Sequence, residues 1–135
     1  MIGILLITHA PLAAAFLTAA SHVFRAQPAQ MEAIDVRADQ EPGEVQRLAK
    51  EAITRLDDGS GVIVLTDVMG GTPSNCTARL LSPGRVEIVA GISMPMLLRT
   101  LTYRNDTLDV VVEMAVAGGQ SGAVRIDHRI KISPN

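Results

Sequence analysis

The sequence predicts an α/β fold: a doubly wound, mainly parallel sheet in the strand order 2-1-3-4, with helices on both faces. Three observations lead there. Short apolar runs alternate with helical patterns in the order β-α-β-α-β-α-β-α-α-β, and such alternation builds parallel sheets covered by crossover helices. The first and third runs, "IGILLIT" and "GVIVLT", are apolar without a break, as expected of strands buried on both faces. Pro11, Pro73 and Pro95 each stand where a helical segment opens, and proline suits a first helical turn.

Taken in order, residues 2–8 form the first strand and residues 11–24 the first helix, with Leu12, Ala15, Phe16, Ala19 and Ala20 on one stripe. "MEAIDV" (31–36) is a short second strand. Residues 42–59 are an amphipathic helix whose stripe is Val45, Leu48, Ala49, Ala52, Ile53 and Leu56, ended by Gly59. The third strand (61–66) is β-branched. The loop "DVMGGTPSN" leads into a short helix, "SNCTARLL", with Thr72 as its N-cap. "RVEIVAG" (85–91) is the fourth strand and residues 94–104 the next helix. Residues 107–119 contain "VVV", which favours strand, but Leu108, Val111, Val112, Ala115 and Val116 keep helical spacing and Gly118-Gly119 offer a stop. In 123–132, apolar residues and His128 alternate with charges. That is a strand with one wet face, at an edge, which either pairs antiparallel or adds to a neighbouring subunit.

A chain of 135 residues suits one domain, taken as 1–135. It is 47% apolar and 19% charged, a globular composition. Net charge is −2 and aromatics are 2%, so no nucleic-acid surface of phosphate contacts and stacking is expected. Cys76 is the single cysteine, which fits a reducing, cytoplasmic setting and reads as a small buried residue. From Met1 to Phe24 no residue is charged, apart from any charge on the histidines. The stretch lacks a basic leader region, however, and His9 and Pro11 interrupt it. Neither secretion nor membrane insertion is expected of it.

In a doubly wound sheet the site lies beyond the carboxyl ends of the strands, where strand order reverses. In a 2-1-3-4 order that point falls between the first and third strands, which end in Thr8-His9 and Asp67. An imidazole is a good nucleophile near neutral pH. A carboxylate on one ring N–H would fix its tautomer and free the other nitrogen. Helix N-termini and Gly70-Gly71 would present amides to a phosphoryl group. No Lys or Arg is next to either motif in sequence, and no Walker-type or dinucleotide glycine pattern is present, so ATP and NAD are not expected. Alone, His9 reads as a structural histidine, Asp67 as a loop cap and the glycine pair as a turn; their combination is what points to phosphoryl chemistry. His22 reads as a helix-end surface residue and His128 as an interface residue, and no metal-ligand spacing is found. Asp35, at the end of the second strand, borders the cleft or simply faces solvent. Met94 and Met96 belong to the core or line a docking surface.

"ILLITHAPLAAAFLTAA", "GVIVLTDVMGGTPSNCTARLL" and "VEIVAGISMPMLLRTL" resemble the cytoplasmic IIA domain of the mannose-type (mannose/fructose/sorbose) phosphoenolpyruvate-dependent sugar phosphotransferase system, across residues 2 to 116. The resemblance implies that His9 accepts a phosphoryl group from the phosphocarrier protein HPr and passes it to a IIB domain for carbohydrate uptake. It implies that Asp67 supports His9, and that Thr8, Gly70, Gly71 and Thr72 serve the phosphoryl group. It further implies no cofactor or metal, and a homodimer with the last strand exchanged. Met69 departs from the family, which often has an aromatic residue there. A regulatory phosphorelay without its own transporter, or phosphoryl donation to a dihydroxyacetone kinase, fits the same residues.

Overall fold

In the computed structural model, which describes residues 1–128 apart from the side chains of Thr72 and Ser74, β1 (Gly3–His9) and β3 (Val62–Thr66) lie at the centre of a four-stranded sheet. Its order is β2-β1-β3-β4, with β2 at Met31–Val36 and β4 at Val86–Ala90, and every pairing is parallel. This is the predicted order. The two unbroken apolar runs are central because a strand flanked by two others and covered by helices on both faces has no side chain facing water. Residues 3–8 and all of β3 are buried.

Side-chain alternation divides the core in two. Ile4, Leu6, Ile63, Leu65 and Val89 face one layer, and Leu5, Ile7, Val62, Val64 and Val86 face the other. The first layer is closed by α1 (Leu12–Phe24), α4 (Met94–Tyr103) and α5 (Leu108–Ser121). The second is closed by α2 (Pro42–Leu56) and α3 (Thr72–Ala78). Removing each such Leu, Ile or Val from water contributes about 2 kcal/mol, so the sheet is held chiefly by these two layers.

Several local expectations shift. On α1 the inward stripe is Ala13, Phe16, Leu17 and Ala20, while Leu12 and Ala15 face outward. A run of alanines carries little amphipathic contrast, and the two large residues Phe16 and Leu17 set the phase. The α2 stripe holds, but the helix ends at Leu56 rather than at Gly59. Asp57 takes over there, accepting from the Gly59 and Gly61 amides at 2.8 and 3.1 Å, which builds a tight turn into β3. α5 forms despite "VVV" and runs through Gly118-Gly119 to Ser121. Those glycines are packing positions, not a stop. A Cβ on Gly118 would lie 2.9 Å from Arg99 Cβ, and one on Gly119 would lie 2.7 Å from Met96 Cε, both on α4. Residues 123–127, the start of the predicted last strand, are not in a strand, and residues 129–132 of it lie outside the described residues. No helix among the described residues is long and apolar enough to cross a membrane.

Arg104 stitches the end of the sheet remote from His9. It is nearly buried, and its guanidinium donates to the carbonyls of Ile2, Ala29 and Gln30 at 2.6–3.1 Å. Those carbonyls sit at the start of β1 and in the turn before β2, so one side chain ties three segments together.

Candidate functional site

β1 ends one residue further than predicted, at His9, and so carries the histidine on its last step. The neighbouring β3 ends at Thr66, with Asp67 immediately beyond. Adjacent parallel strands therefore bring the two side chains together. The Asp67 carboxylate accepts from His9 twice: Oδ2 lies 2.8 Å from the ring Nδ1 and 3.0 Å from the backbone nitrogen. Its other oxygen accepts from the Val68 amide at 3.0 Å. The carboxylate is thus locked by backbone on both oxygens, and it locks the ring.

The electrostatics follow. Burial pushes the Asp67 carboxyl up, but the hydrogen bonds from the His9 ring, the His9 amide and the Val68 amide, with the attraction of His9, outweigh it. The group is held below the usual carboxylate range. Asp67 is 11% exposed and the His9 side chain 53%, so the anion is enclosed while the imidazole faces out. With Nδ1 given to Asp67, Nε2 is the nitrogen left for chemistry.

The glycine pair splits into two roles. Gly70 adopts φ +88°, and a Cβ there would meet nothing within 4 Å, so its backbone conformation calls for glycine. Gly71 has an ordinary φ of −79° as the N-cap of α3, but a Cβ would lie 3.1 Å from His9 Cε1 and 3.1 Å from Val68 Cγ2. Its missing side chain is the floor under the imidazole. Asn75 fastens this loop, donating its amide to the Gly71 carbonyl at 2.9 Å and its side chain to that of Gly70 at 3.3 Å.

Several local expectations at the site are revised. Thr8 is fully buried and its hydroxyl donates to the His9 carbonyl at 3.0 Å, so it cannot reach a phosphoryl group on the exposed ring. Thr72 is the first residue inside α3 rather than its N-cap, since Gly71 holds that place; the Thr72 side chain lies outside what is described. The start of α1 is also not open to an anion as expected. Asp35 occupies it, accepting from the Ala13 amide at 2.9 Å and the Ala14 amide at 3.3 Å. Asp35 is therefore not a solvated loop residue. It is the cap of α1, supplied by the neighbouring strand. Its position at the carboxyl end of β2, beside β1 in the predicted order, is the signal that could have revealed this.

Of the remaining candidates, Cys76 is buried on α3 and His22 is exposed in the last turn of α1, as read, and His128 is exposed. Met96 is core, while Met94 is half-buried, so Met96 lines no docking surface. Leu12, three residues after His9, and Val68 and Met69, which follow Asp67, are exposed apolar residues, Met69 at 88%. A cavity of about 570 Å³ opens next to His9, lined also by Ala10, Val36, Arg37 and Ala38. Arg37 comes to this cavity across the sheet, one residue past the end of β2, so no pattern along the chain near His9 reveals it. Among the described residues, no group of three or more His, Cys, Asp or Glu side chains is placed to hold a metal ion.

The chain has known counterparts in sequence and fold. A family model, EIIA-man, described as the PTS system fructose IIA component, matches residues 3–116. The chain belongs to this family. The PTS mannose-specific EIIAB component of Escherichia coli K12 is 37% identical over 73 residues, which are 52% of this chain and 23% of that protein. The IIA chain thus matches about a quarter of the length of that relative. The sorbose-specific EIIA component of Lacticaseibacillus casei is 29% identical over 106 residues, 76% of this chain and 74% of that one. Among solved structures, the mannose/sorbose specific IIA subunit of Enterococcus faecalis matches with a TM-score of 0.83 at 20% identity over 98% of both chains, a likeness of fold. The PTS IIA protein associated with the fucose utilization operon of Streptococcus pneumoniae gives 0.79 at 26% identity over 91% of each.

Proposed function

We propose that this IIA chain, as a single phosphotransferase unit over residues 1–135, is a phosphoryl carrier with a phosphohistidine intermediate at His9. The observation that carries the reading is the 2.8 Å contact between His9 Nδ1 and Asp67, which leaves Nε2 of a half-exposed ring facing out. The lone pair on Nε2 forms the new N–P bond. The P–N bond of the donor's phosphohistidine breaks, and its electron pair returns to the donor imidazole. Asp67 keeps the proton on Nδ1 and stabilises the positive charge that the ring gains as Nε2 becomes bonded to phosphorus. The rest of the rate comes from positioning and electrostatics. Backbone amides of Gly70, Gly71 and Thr72 approach the phosphoryl oxygens because no side chain on Gly71 stands between them and the ring.

The donor is HPr and the acceptor a IIB domain serving carbohydrate uptake, within the cytoplasm and without a cofactor. Leu12, Val68 and Met69 give the partner an apolar rim around the histidine. The protein acts as a homodimer: Val124 and Ile126, 65% and 70% exposed, are apolar residues that a second subunit would cover. The experiment is intact mass after incubation with phosphoenolpyruvate, enzyme I and HPr. The wild type gains one acid-labile phosphoryl group and His9→Ala gains none. No gain by the wild type beside a demonstrably active HPr overturns the reading. Adding a IIB domain or a dihydroxyacetone kinase subunit to the labelled protein then identifies the acceptor by which one discharges it.

A further inference from the structure

The charges around His9 are unbalanced for the group it is proposed to carry. Asp67 lies against the ring, and Asp35 stands on β2 opposite Thr8, the residue before His9, with Oδ1 3.5 Å from the Thr8 hydroxyl. A phosphoryl group on Nε2 adds up to two further negative charges on the same rim. Besides His9, the cavity is lined by three apolar residues, Ala10, Val36 and Ala38, and by one cation, Arg37.

Arg37 reaches that position through the sheet. β2 pairs with β1 in a register that sets Val36 opposite His9, so Arg37 is the first residue past the strand, on the side of His9 away from Asp67. The Ala10 amide donates to the Val36 carbonyl at 3.0 Å, extending the ladder one step beyond the strands. The Arg37 backbone is closed into a turn, its amide donating to Gln40 Oε1 at 3.2 Å and its carbonyl accepting from the Gln40 amide at 3.1 Å. The guanidinium, in contrast, is loosely held. It pairs with Asp39 at 3.7 Å, between side chains 66% and 88% exposed. Such an exposed, solvent-screened pair contributes little and gives way readily to a better anion. A guanidinium's fork of donors fits phosphoryl oxygens in a way that a single carboxylate at 3.7 Å does not exploit.

We propose that Arg37 leaves Asp39 and binds the phosphoryl oxygens at His9, making it a rate determinant of phosphoryl transfer. The inference rests on the phosphohistidine reading above. No proton moves to or from Arg37; it neutralises charge while the N–P bonds exchange. The phosphoryl group can meet Arg37 on the incoming donor or once it resides on His9, and two measurements separate these.

The first is the rate of phosphoryl acceptance from phospho-HPr, resolved into kcat and KM, for wild type, R37Q and R37K. The second is the hydrolysis half-life of each protein after phosphorylation by phosphoramidate, which needs no partner. Arg37→Gln is expected to lower kcat about tenfold or more with an unchanged melting temperature, and Arg37→Lys to recover part of it. A changed half-life as well places the contact on the resident phosphohistidine; an unchanged half-life places it on the donor's group. If Arg37→Gln leaves kcat and half-life within twofold of wild type, or shifts KM alone, the inference is overturned while the phosphohistidine reading stands. If the wild type accepts no phosphoryl group from either source, both fall.

Discussion

Asp67 holds His9 by both its ring and its backbone: one carboxylate oxygen lies 2.8 Å from Nδ1 and 3.0 Å from the peptide nitrogen of the same residue. Two contacts to one residue leave the imidazole little freedom, so position and tautomer are set together. Asp67→Asn keeps the shape but removes the charge proposed to support the ring during phosphoryl transfer. It is expected to slow phosphoryl acceptance about a hundredfold. Rapid-quench labelling from phospho-HPr checks this, and a circular dichroism melt verifies that the fold survives.

Acid should find this carboxylate. Asp67 is held below its ordinary range in the folded chain, and Asp57 is too, first through the Gly59 amide and then, against the opposing effect of burial, through the Gly61 amide and Arg85. A carboxyl with a depressed folded value binds fewer protons folded than unfolded. The stability it contributes is therefore fully present above the unfolded value, about 4, and is lost as pH falls below that. Urea unfolding between pH 7 and pH 2.5 is expected to show stability falling below about pH 4, with a shallower fall in Asp67→Asn. Equal slopes in the two proteins would contradict it.

The two glycines predict opposite phenotypes. Gly70→Ala meets open space but an unfavourable φ, so it is expected to cost about 1–2 kcal/mol of stability while leaving the ring where it is. Gly71→Ala has an acceptable φ but presses on His9 Cε1 and Val68 Cγ2. The half-exposed ring can yield, so stability changes by less than about 1 kcal/mol while transfer falls about tenfold or more. Chemical denaturation and labelling kinetics on both variants check the crossing.

Arg104 predicts a purely structural loss. Arg104→Met keeps apolar bulk but orphans the carbonyls of Ile2, Ala29 and Gln30. About 2–4 kcal/mol of stability is expected to go, read from the urea midpoint. Per folded molecule, phosphoryl acceptance should be unchanged, because the residue lies at the far end of the sheet from His9.

The sheet order was legible because buried strands advertise themselves: "IGILLIT" and "GVIVLT" have no polar face to place, so they must be central. His9 and Asp67 followed, since strand order alone makes their ends neighbours. Contacts across the sheet were harder to see. Asp35 caps a helix that precedes its own strand, and Arg37 borders a histidine far from it in sequence, so neither leaves a local pattern. Thr8 looked available because its neighbour is, yet a one-residue step on a strand turns the side chain from the rim into the core. Gly118-Gly119 carried the signature of a helix stop, but closeness to α4 can demand glycine as strictly as a turn can, and sequence spacing does not distinguish the two demands.

The most direct test is long-range proton–nitrogen NMR of the phosphorylated, nitrogen-15-labelled protein, which reports which ring nitrogen of which histidine bears phosphorus. The phosphoryl group is expected on Nε2 of His9, with Nδ1 still protonated towards Asp67. Phosphorus on Nδ1 of His9, or on His22 or His128, would contradict the role given to Asp67 and the site built around it.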